Sequence, residues 1–389
     1  MQFINLDRQY KNIKKEIQHA INTVLEHGQY ILGPEVDELE IELSRRTKSK
    51  HVIGVSSGSD ALLIALLALD IRPGDEVITT PFSFIATAEM ISVLGAKPVY
   101  ADVESDTFNL NPQNIEPLIT KNTKAIVAVS IFGQCANMDQ INAIAEEYNL
   151  TVIEDAAQSF GATYKGRSSC ALTQIAITSF YPSKPLGAYG DGGACFTRCD
   201  ELAERMRKIR IHGQDQPYLH SRLGINGRLD TIQAAILLTK LKVLTLDLEK
   251  RRQAANYYTQ QLNNAGFAET PRIEKHNTST YAQYTVLVKN RQAVQQILNT
   301  KGIPSAVFYP VPLNRQPATH NDSTPCPNSD RLSEHVLSLP LCAYMTKEEQ
   351  DHVINHFIEA ISETQKTKEP SCSLNPTHTP QHKSMQAPL

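Results

Sequence analysis

The stretch His51–Leu69, "HVIGVSSGSDALLIALLAL", passes from an apolar, β-branched run through small residues into a second apolar run rich in leucine and alanine. The first half reads as a strand buried on both faces, since it shows no polar alternation. The second half reads as a helix that starts at the Ser/Gly/Asp junction, where short polar side chains can cap free N–H groups. Downstream the same alternation continues. "DEVITTP" precedes "IATAEMISVLG", and "KAIVAVSIFG" precedes "MDQINAIAEEYN"; "TVIEDAA", "QIAITSFYP" and "GACFTR" are further strands before the helix "ELAERMRKIRI". This series predicts an α/β fold, a mainly parallel sheet sandwiched by helices.

Upstream, Ile13, Ile17, Ile21 and Val24 have the spacing of an amphipathic helix. Beyond the sheet, one long helix or a bent pair is expected from about Leu229 to Leu262, ending at "NNAGF". The β-like runs "YAQYTVLV" and "SAVFY", the helical "RQAVQQILNTKG" between them and the closing helix "KEEQDHVINHFIEAI" suggest a smaller α+β domain. The expected division is a large domain over residues 1–250, a small one over 251–363, and a disordered tail over 364–389. That tail is rich in Pro, Ser, Thr and Gln and has no apolar period with which to build a core.

The chain has 389 residues, 41% of them hydrophobic and 20% charged, with a net charge of -3. So even a balance gives no ground for a nucleic-acid or charged-membrane partner. The opening "MQFINLDRQYKNIKKE" has no apolar signal region, and the longest apolar run, "ALLIALLAL", is far short of a bilayer span, so a soluble cytoplasmic protein is expected. Seven scattered cysteines do not read as a disulfide framework. No metal is expected either. His352 and His356 are one helical turn apart but lack the glutamate of a zinc-protease motif, and Cys195 and Cys199 merely span a strand end.

In open parallel sheets, ligands gather at the carboxyl ends of strands. Four such points carry chemistry. In "SSGSDAL" (Ser56–Leu62), N–H groups at a helix start together with serine hydroxyls make an anion cradle; the plain alternative is an N-cap by Ser59. In "VIEDAAQS" (Val152–Ser159), Asp155 ends an apolar strand and needs a cation or donors to stay charged; the alternative is another N-cap. In "TSFYPSKPLGAYGDGGA" (Thr178–Ala194), prolines flank Lys184 and glycines follow it, a setting that can present an amine into a desolvated pocket; the alternative is a solvent-facing lysine. In "NGRLDTIQAA" (Asn226–Ala235), Arg228 lies just before the long helix, or is simply on the surface. A phosphate cradle, a strand-end aspartate and a constrained lysine in this chain order fit pyridoxal 5'-phosphate. Phe84, after another strand end, would supply the aromatic above the ring unless it is a core residue.

At these residues the sequence resembles the DegT-type (DegT/DnrJ/StrS) sugar-nucleotide aminotransferases, a family with the fold-type I pyridoxal-phosphate architecture. The resemblance runs to about residue 360 and rests on "GQYILGPEVDELE", "SSGSDAL", "PGDEVITTPFSFIATAE", "GQCANMD", "VIEDAAQSFGATYKG", the lysine stretch and "HGQD…GINGRLDTIQAAIL". It implies that Lys184 bonds the cofactor covalently and is the catalytic residue. Asp155 would meet the ring nitrogen, Gln158 the side of the ring hydroxyl, and Phe84 the ring face. Gly58, Ser59 and Ser179 would bind the phosphate, with Asn226 reaching in from the second subunit of a homodimer. Gly28, Tyr30, Ser183, Arg228 and Tyr309 match positions associated with the nucleotide sugar. The "AQYTV…YPVPLN" run and Pro185 narrow the implied acceptor to a UDP-linked 2-acetamido-3-oxo-uronic acid, aminated from L-glutamate with release of 2-oxoglutarate, for bacterial surface polysaccharide (O-antigen). Phe308 stands where that closer match has a histidine donor. Rival readings are a different 3- or 4-keto nucleotide sugar, and a cofactor-binding regulator without turnover.

Overall fold

The structure, a computed structural model, describes residues 1–321 and 324–366. Seven strands form the central sheet: β1 (His51–Val55), β2 (Glu76–Thr79), β3 (Lys97–Tyr100), β4 (Thr123–Val129), β5 (Thr151–Asp155), β6 (Ile175–Ser179) and β7 (Gly193–Thr197). Their spatial order is β1-β7-β6-β5-β4-β2-β3. All share one direction except β7, which is antiparallel to both of its neighbours. The exception has a local cause. Parallel neighbours need a crossover element, whereas β6 and β7 are joined by a loop without a helix, so the chain reverses. That loop carries Lys184.

Side chains alternate across the sheet, so each strand feeds two cores. Ile53, Val127, Ile153 and Ile177 pack on one face, around the helix Gly58–Ala68. Their neighbours Val52 and Ala176, with Phe180 and Phe196, meet Leu39 and Leu237 on the other. The helix Gly58–Ala68 buries residues on every side, as its unbroken apolar composition requires.

A second core is built from Tyr258, Tyr284, Val286, Leu298, Leu337 and Phe357. Here β8 (Tyr284–Leu287) pairs antiparallel with β9 (Val336–Leu339), flanked by the helices Arg291–Thr300 and Lys347–Lys366. The run "SAVFY" is not a strand. Only Ala306 pairs, with Ser338, and Pro310 and Pro312 soon remove the donors a ladder would need. The pairing partner is "VLSL", which the sequence reading passed over.

Of the two expected forms, one long helix or a bent pair, the structure has the first: a 34-residue helix, Thr231–Asn264, threads both cores, so the boundary expected at residue 250 falls inside it. The expected tail begins three residues too early, since the closing helix runs to Lys366; the remainder of the tail lies outside the described residues. The cysteines described, Cys135, Cys170, Cys195, Cys199, Cys326 and Cys342, are free. Among the described residues no helix is long and apolar enough to cross a membrane. His352 and His356 stack edge to face on the closing helix, and His356 pairs with Glu359.

Candidate active site

The parallel strands end at one edge of the sheet, and Asp155 and Ser179 lie there at the ends of their strands. Asp155 is the last residue of β5 and lies opposite Ile177 of β6. Ser179 ends β6, opposite Gly193 at the start of β7, which in turn pairs with Val55 of β1. The chain from β1 then enters the helix that starts at Gly58. The Lys184 loop folds tightly upon itself: Phe180 N–H donates to the Gly192 carbonyl (2.8 Å), Ala188 to Phe180 (2.7 Å) and Lys184 to Tyr181 (2.8 Å). Gly187 is required in that fold, because a Cβ there would sit 2.4 Å from the Pro182 carbonyl oxygen.

Asp155 is 7% exposed. Its carboxylate accepts hydrogen bonds from the Ala157 N–H (3.1 Å) and the Thr87 hydroxyl (3.3 Å). Burial pushes its pKa up, while the Ala157 N–H, the Lys184 charge and Thr87 pull it back. The Lys184 amine responds in the opposite sense: burial lowers its pKa and Asp155 partly restores it. Each group therefore acts on the other's charge, Asp155 buried and Lys184 half-buried. Gln158 accepts from the Phe132 N–H (2.6 Å) and donates to the Tyr309 hydroxyl (3.4 Å). The Tyr309 ring lies 6.3 Å from that of Phe84, and burial, then Asp155, holds its hydroxyl well above the ordinary tyrosine range. Phe84 is 55% exposed, so it is not a core phenylalanine. These interactions link Asp155, Lys184, Gln158, Tyr309 and Phe84 into one cluster.

The helix start differs from the simplest expectation. Ser57, not Ser59, is the N-cap: its hydroxyl accepts from the Asp60 N–H at 3.0 Å, and Ser59 lies within the first turn. Gly58 touches Ser179, and a Cβ on it would stand 2.6 Å from the Ser179 Cβ. Glycine is what lets the open helix end meet that serine. First-turn N–H groups lack partners within their own helix, so this corner offers N–H donors and hydroxyls to an anion. The Asp60 carboxylate nearby is occupied by the hydroxyls of Ser56 (2.5 Å) and Ser57 (3.0 Å).

Beside the cradle, three segments lie edge to edge. Val55 bridges Arg228, Ser56 N–H donates to the Gly227 carbonyl, Ile31 bridges Asp230, and Thr231 N–H donates to the Tyr30 carbonyl. Gly28 closes the preceding helix with φ 71° and Tyr30 is 49% exposed. The Nε of Arg228 is buried without a hydrogen-bond partner. Ser183 sits beside Lys184 and is half-buried. Asn226 is exposed and bridges Ile211; among the described residues, none of its contacts joins it to Asp155 or Lys184.

Two residues escaped the sequence reading. Thr87, three residues after Phe84 in the first turn of the helix Ala86–Val93, is the side-chain donor to Asp155. Glu154, fully buried next to Asp155, accepts from the Ser169 hydroxyl (2.7 Å) and the Cys170 N–H (2.9 Å), and burial pushes its pKa up to about 7. A charged residue inside an otherwise apolar strand was the signal available for it.

This donor set fits a phosphorylated pyridine aldehyde. A desolvated amine suits the aldehyde, a buried carboxylate short of cations suits a protonated ring nitrogen, an exposed aromatic suits the ring face, and the glycine-lined helix end suits the phosphate.

Comparison with known proteins agrees with that chemistry. The model of the DegT/DnrJ/EryC1/StrS aminotransferase family matches residues 11–358. The UDP-2-acetamido-2-deoxy-3-oxo-D-glucuronate aminotransferase of Pseudomonas aeruginosa is 52% identical over 345 residues, 89% of this chain and 96% of that protein. A pleiotropic regulatory protein of Geobacillus stearothermophilus is 42% identical, over 92% of this chain and 97% of its own. Among solved structures, a DegT DnrJ EryC1 StrS aminotransferase from Brucella abortus superposes with a TM-score of 0.89 at 39% identity, covering 93% of this chain and 99% of that one. The Bacillus subtilis protein NtdA, with its cofactor PMP bound, gives 0.86 at 32% identity, covering 93% and 85%.

Proposed function

The chain belongs to the DegT/DnrJ/EryC1/StrS aminotransferase family and is a pyridoxal-phosphate-dependent sugar aminotransferase, and on that premise we propose that it moves an amino group from L-glutamate to carbon 3 of a UDP-linked 2-acetamido-2-deoxy-3-oxo-uronic acid. The observation that carries this reading is the 52% identity to the Pseudomonas aeruginosa enzyme over 89% of this chain, together with Asp155 and Lys184, which act on each other's charge. The product would serve bacterial surface polysaccharide, and the enzyme would work in the cytoplasm as a homodimer to which Asn226 contributes across the interface.

Bound pyridoxal phosphate supplies an electron sink and carries nitrogen between two half-reactions. The rest falls to the chain's own residues. Asp155, a buried carboxylate, would pair with the ring nitrogen and keep it protonated. Lys184 Nζ, which burial biases toward the neutral amine, would take the donor's α-proton and deliver it to the carbon that was the cofactor's aldehyde. Gly58, Ser59 and Ser179 would anchor the phosphate, Phe84 would cover the ring, and Gln158 would meet the ring-hydroxyl side. Gly28, Tyr30, Ser183, Arg228 and Tyr309 would receive the nucleotide sugar; the buried, unpartnered Arg228 Nε is consistent with an anionic ligand there.

The test is a glutamate half-reaction followed by a panel of keto nucleotide sugars, read by mass spectrometry. Formation of 2-oxoglutarate, and amination of the 3-oxo-uronic acid in preference to 4-keto sugars, is the expected result. Preference for another keto-sugar overturns the substrate assignment, and absence of 2-oxoglutarate overturns glutamate as donor.

A further inference from the structure

The stretch from β2 into the helix Ala86–Val93 carries two buried hydroxyls, Ser83 and Thr87, which are 3% and 1% exposed. Neither caps the helix, whose cap residue is Ile85, without a side-chain bond. Further along the same helix, Ser92 donates back to the Ala88 carbonyl at 3.0 Å, an ordinary use of a helical hydroxyl. Thr87 differs. Its hydroxyl donates to Oδ2 of Asp155 (3.3 Å), 68 residues further along the chain. The same oxygen lies 3.2 Å from the Ser83 hydroxyl.

A hydroxyl has one proton to give, and an ionised carboxylate can only accept. The Thr87 proton therefore goes to Asp155, and the Ser83 hydroxyl must donate to Thr87. Donors ordered in this way polarise one another where water is scarce. The other carboxylate oxygen, Oδ1, accepts from the Ala157 N–H at 3.1 Å, so one donor holds each oxygen. The hydroxyls are themselves fixed in place. The Thr79 hydroxyl donates to the Val127 carbonyl of β4 (2.9 Å), and Phe82 N–H donates to the Thr80 hydroxyl (3.0 Å). Thr87 N–H donates to the Phe84 carbonyl (3.3 Å), so the aromatic assigned to the ring face and the donor to Asp155 share one turn of chain.

We propose that Thr87, oriented by Ser83, is a positioning residue of the reaction: it keeps Asp155 ionised and aimed, so that their shared proton rests on the cofactor's ring nitrogen rather than on the carboxyl. This rests on the assignment of Asp155 to that nitrogen. The argument is a competition for one proton. Burial favours the neutral acid at Asp155, and the Ala157 N–H, the Lys184 charge and Thr87 oppose it. Lys184 is uncharged whenever it serves as the base, and the two donors are then what keeps the carboxylate ionised. Loss of one donor moves the proton toward Asp155 by about tenfold in equilibrium.

The test is nitrogen NMR of the protein loaded with pyridoxal phosphate isotope-labelled at the ring nitrogen, at one fixed pH. Wild type and Asp155→Asn mark the protonated and unprotonated ends of the scale. Thr87→Val keeps the shape without the hydroxyl, and its resonance is expected to move toward the Asp155→Asn end by about a tenth of that span or more. Thr87→Ser should restore the wild-type position, and Ser83→Ala should move the resonance the same way by less. A purely structural role would loosen the fold without moving that proton. A Thr87→Val or Ser83→Ala resonance at the wild-type position, or a Thr87→Ser resonance matching that of Thr87→Val, overturns the proposal. If Asp155→Asn itself leaves the resonance unmoved, the assignment of Asp155 fails first and the proposal falls with it. If Thr87→Val does not fold, Ser83→Ala decides it alone.

Discussion

Lys184 and Asp155 perturb each other: the aspartate's charge raises the lysine pKa that burial lowers. Removing the amine should therefore do more than lower affinity. Lys184→Ala is expected to keep pyridoxal phosphate only non-covalently and to lose turnover by roughly 10²–10⁴-fold or more; borohydride reduction and peptide mapping should find no cofactor bonded at position 184. Asp155→Asn tests the other partner. Asp155 raises the Lys184 pKa, so its neutralisation should move the midpoint of lysine acylation in the cofactor-free protein to lower pH. An unchanged midpoint would show that the two groups do not sense each other.

The β6–β7 loop and the Gly58 helix end work as a pair of elements. The reversal of β7 brings Gly193 within reach of the β1–helix turn, where a Cβ on Gly193 would lie 2.4 Å from the Ser57 carbonyl. Gly58 similarly sits against Ser179. Gly58→Ala should push the helix end away from Ser179 and weaken cofactor binding by about tenfold or more, a change of about 1.4 kcal/mol. Ser57→Ala removes the cap and should cost about 1 kcal/mol in stability. Fluorescence titration with pyridoxal phosphate and urea unfolding separate the two effects; a Gly58→Ala protein with unaltered affinity would remove the helix end from the phosphate site.

Across the whole molecule, the buried Glu154 makes stability depend on pH. Its pKa is raised from 4.5 to about 7. Below pH 4.5 both folded and unfolded chains hold the proton, and the full contribution is present. Between 4.5 and 7 only the unfolded chain releases it, so stability falls as pH rises, by about 3 kcal/mol in total. Glu154→Gln should abolish that part of the slope in urea unfolding of the cofactor-free protein. Equal slopes for wild type and variant between pH 5 and 8 would contradict the buried, protonated carboxyl. The long helix matters at this level too, since one rigid rod enters both hydrophobic cores.

Much of this was legible from residue order alone. Apolar runs alternating with helical ones dictate a parallel sheet, because only that arrangement buries both faces of such strands. The strand-end aspartate and the proline-flanked lysine follow from that, since parallel strands deliver their last residues to one edge. Pairings between distant segments were not legible. The choice of "VLSL" over "SAVFY" as the partner of β8, the shift of the cap from Ser59 to Ser57, and the contacts of Thr87 with Asp155 and of Gln158 with Tyr309 depend on which surfaces meet after folding. Burial of Glu154 belongs with these. A residue's charge is written in its side chain, but its desolvation is set by neighbours that only the folded chain brings together.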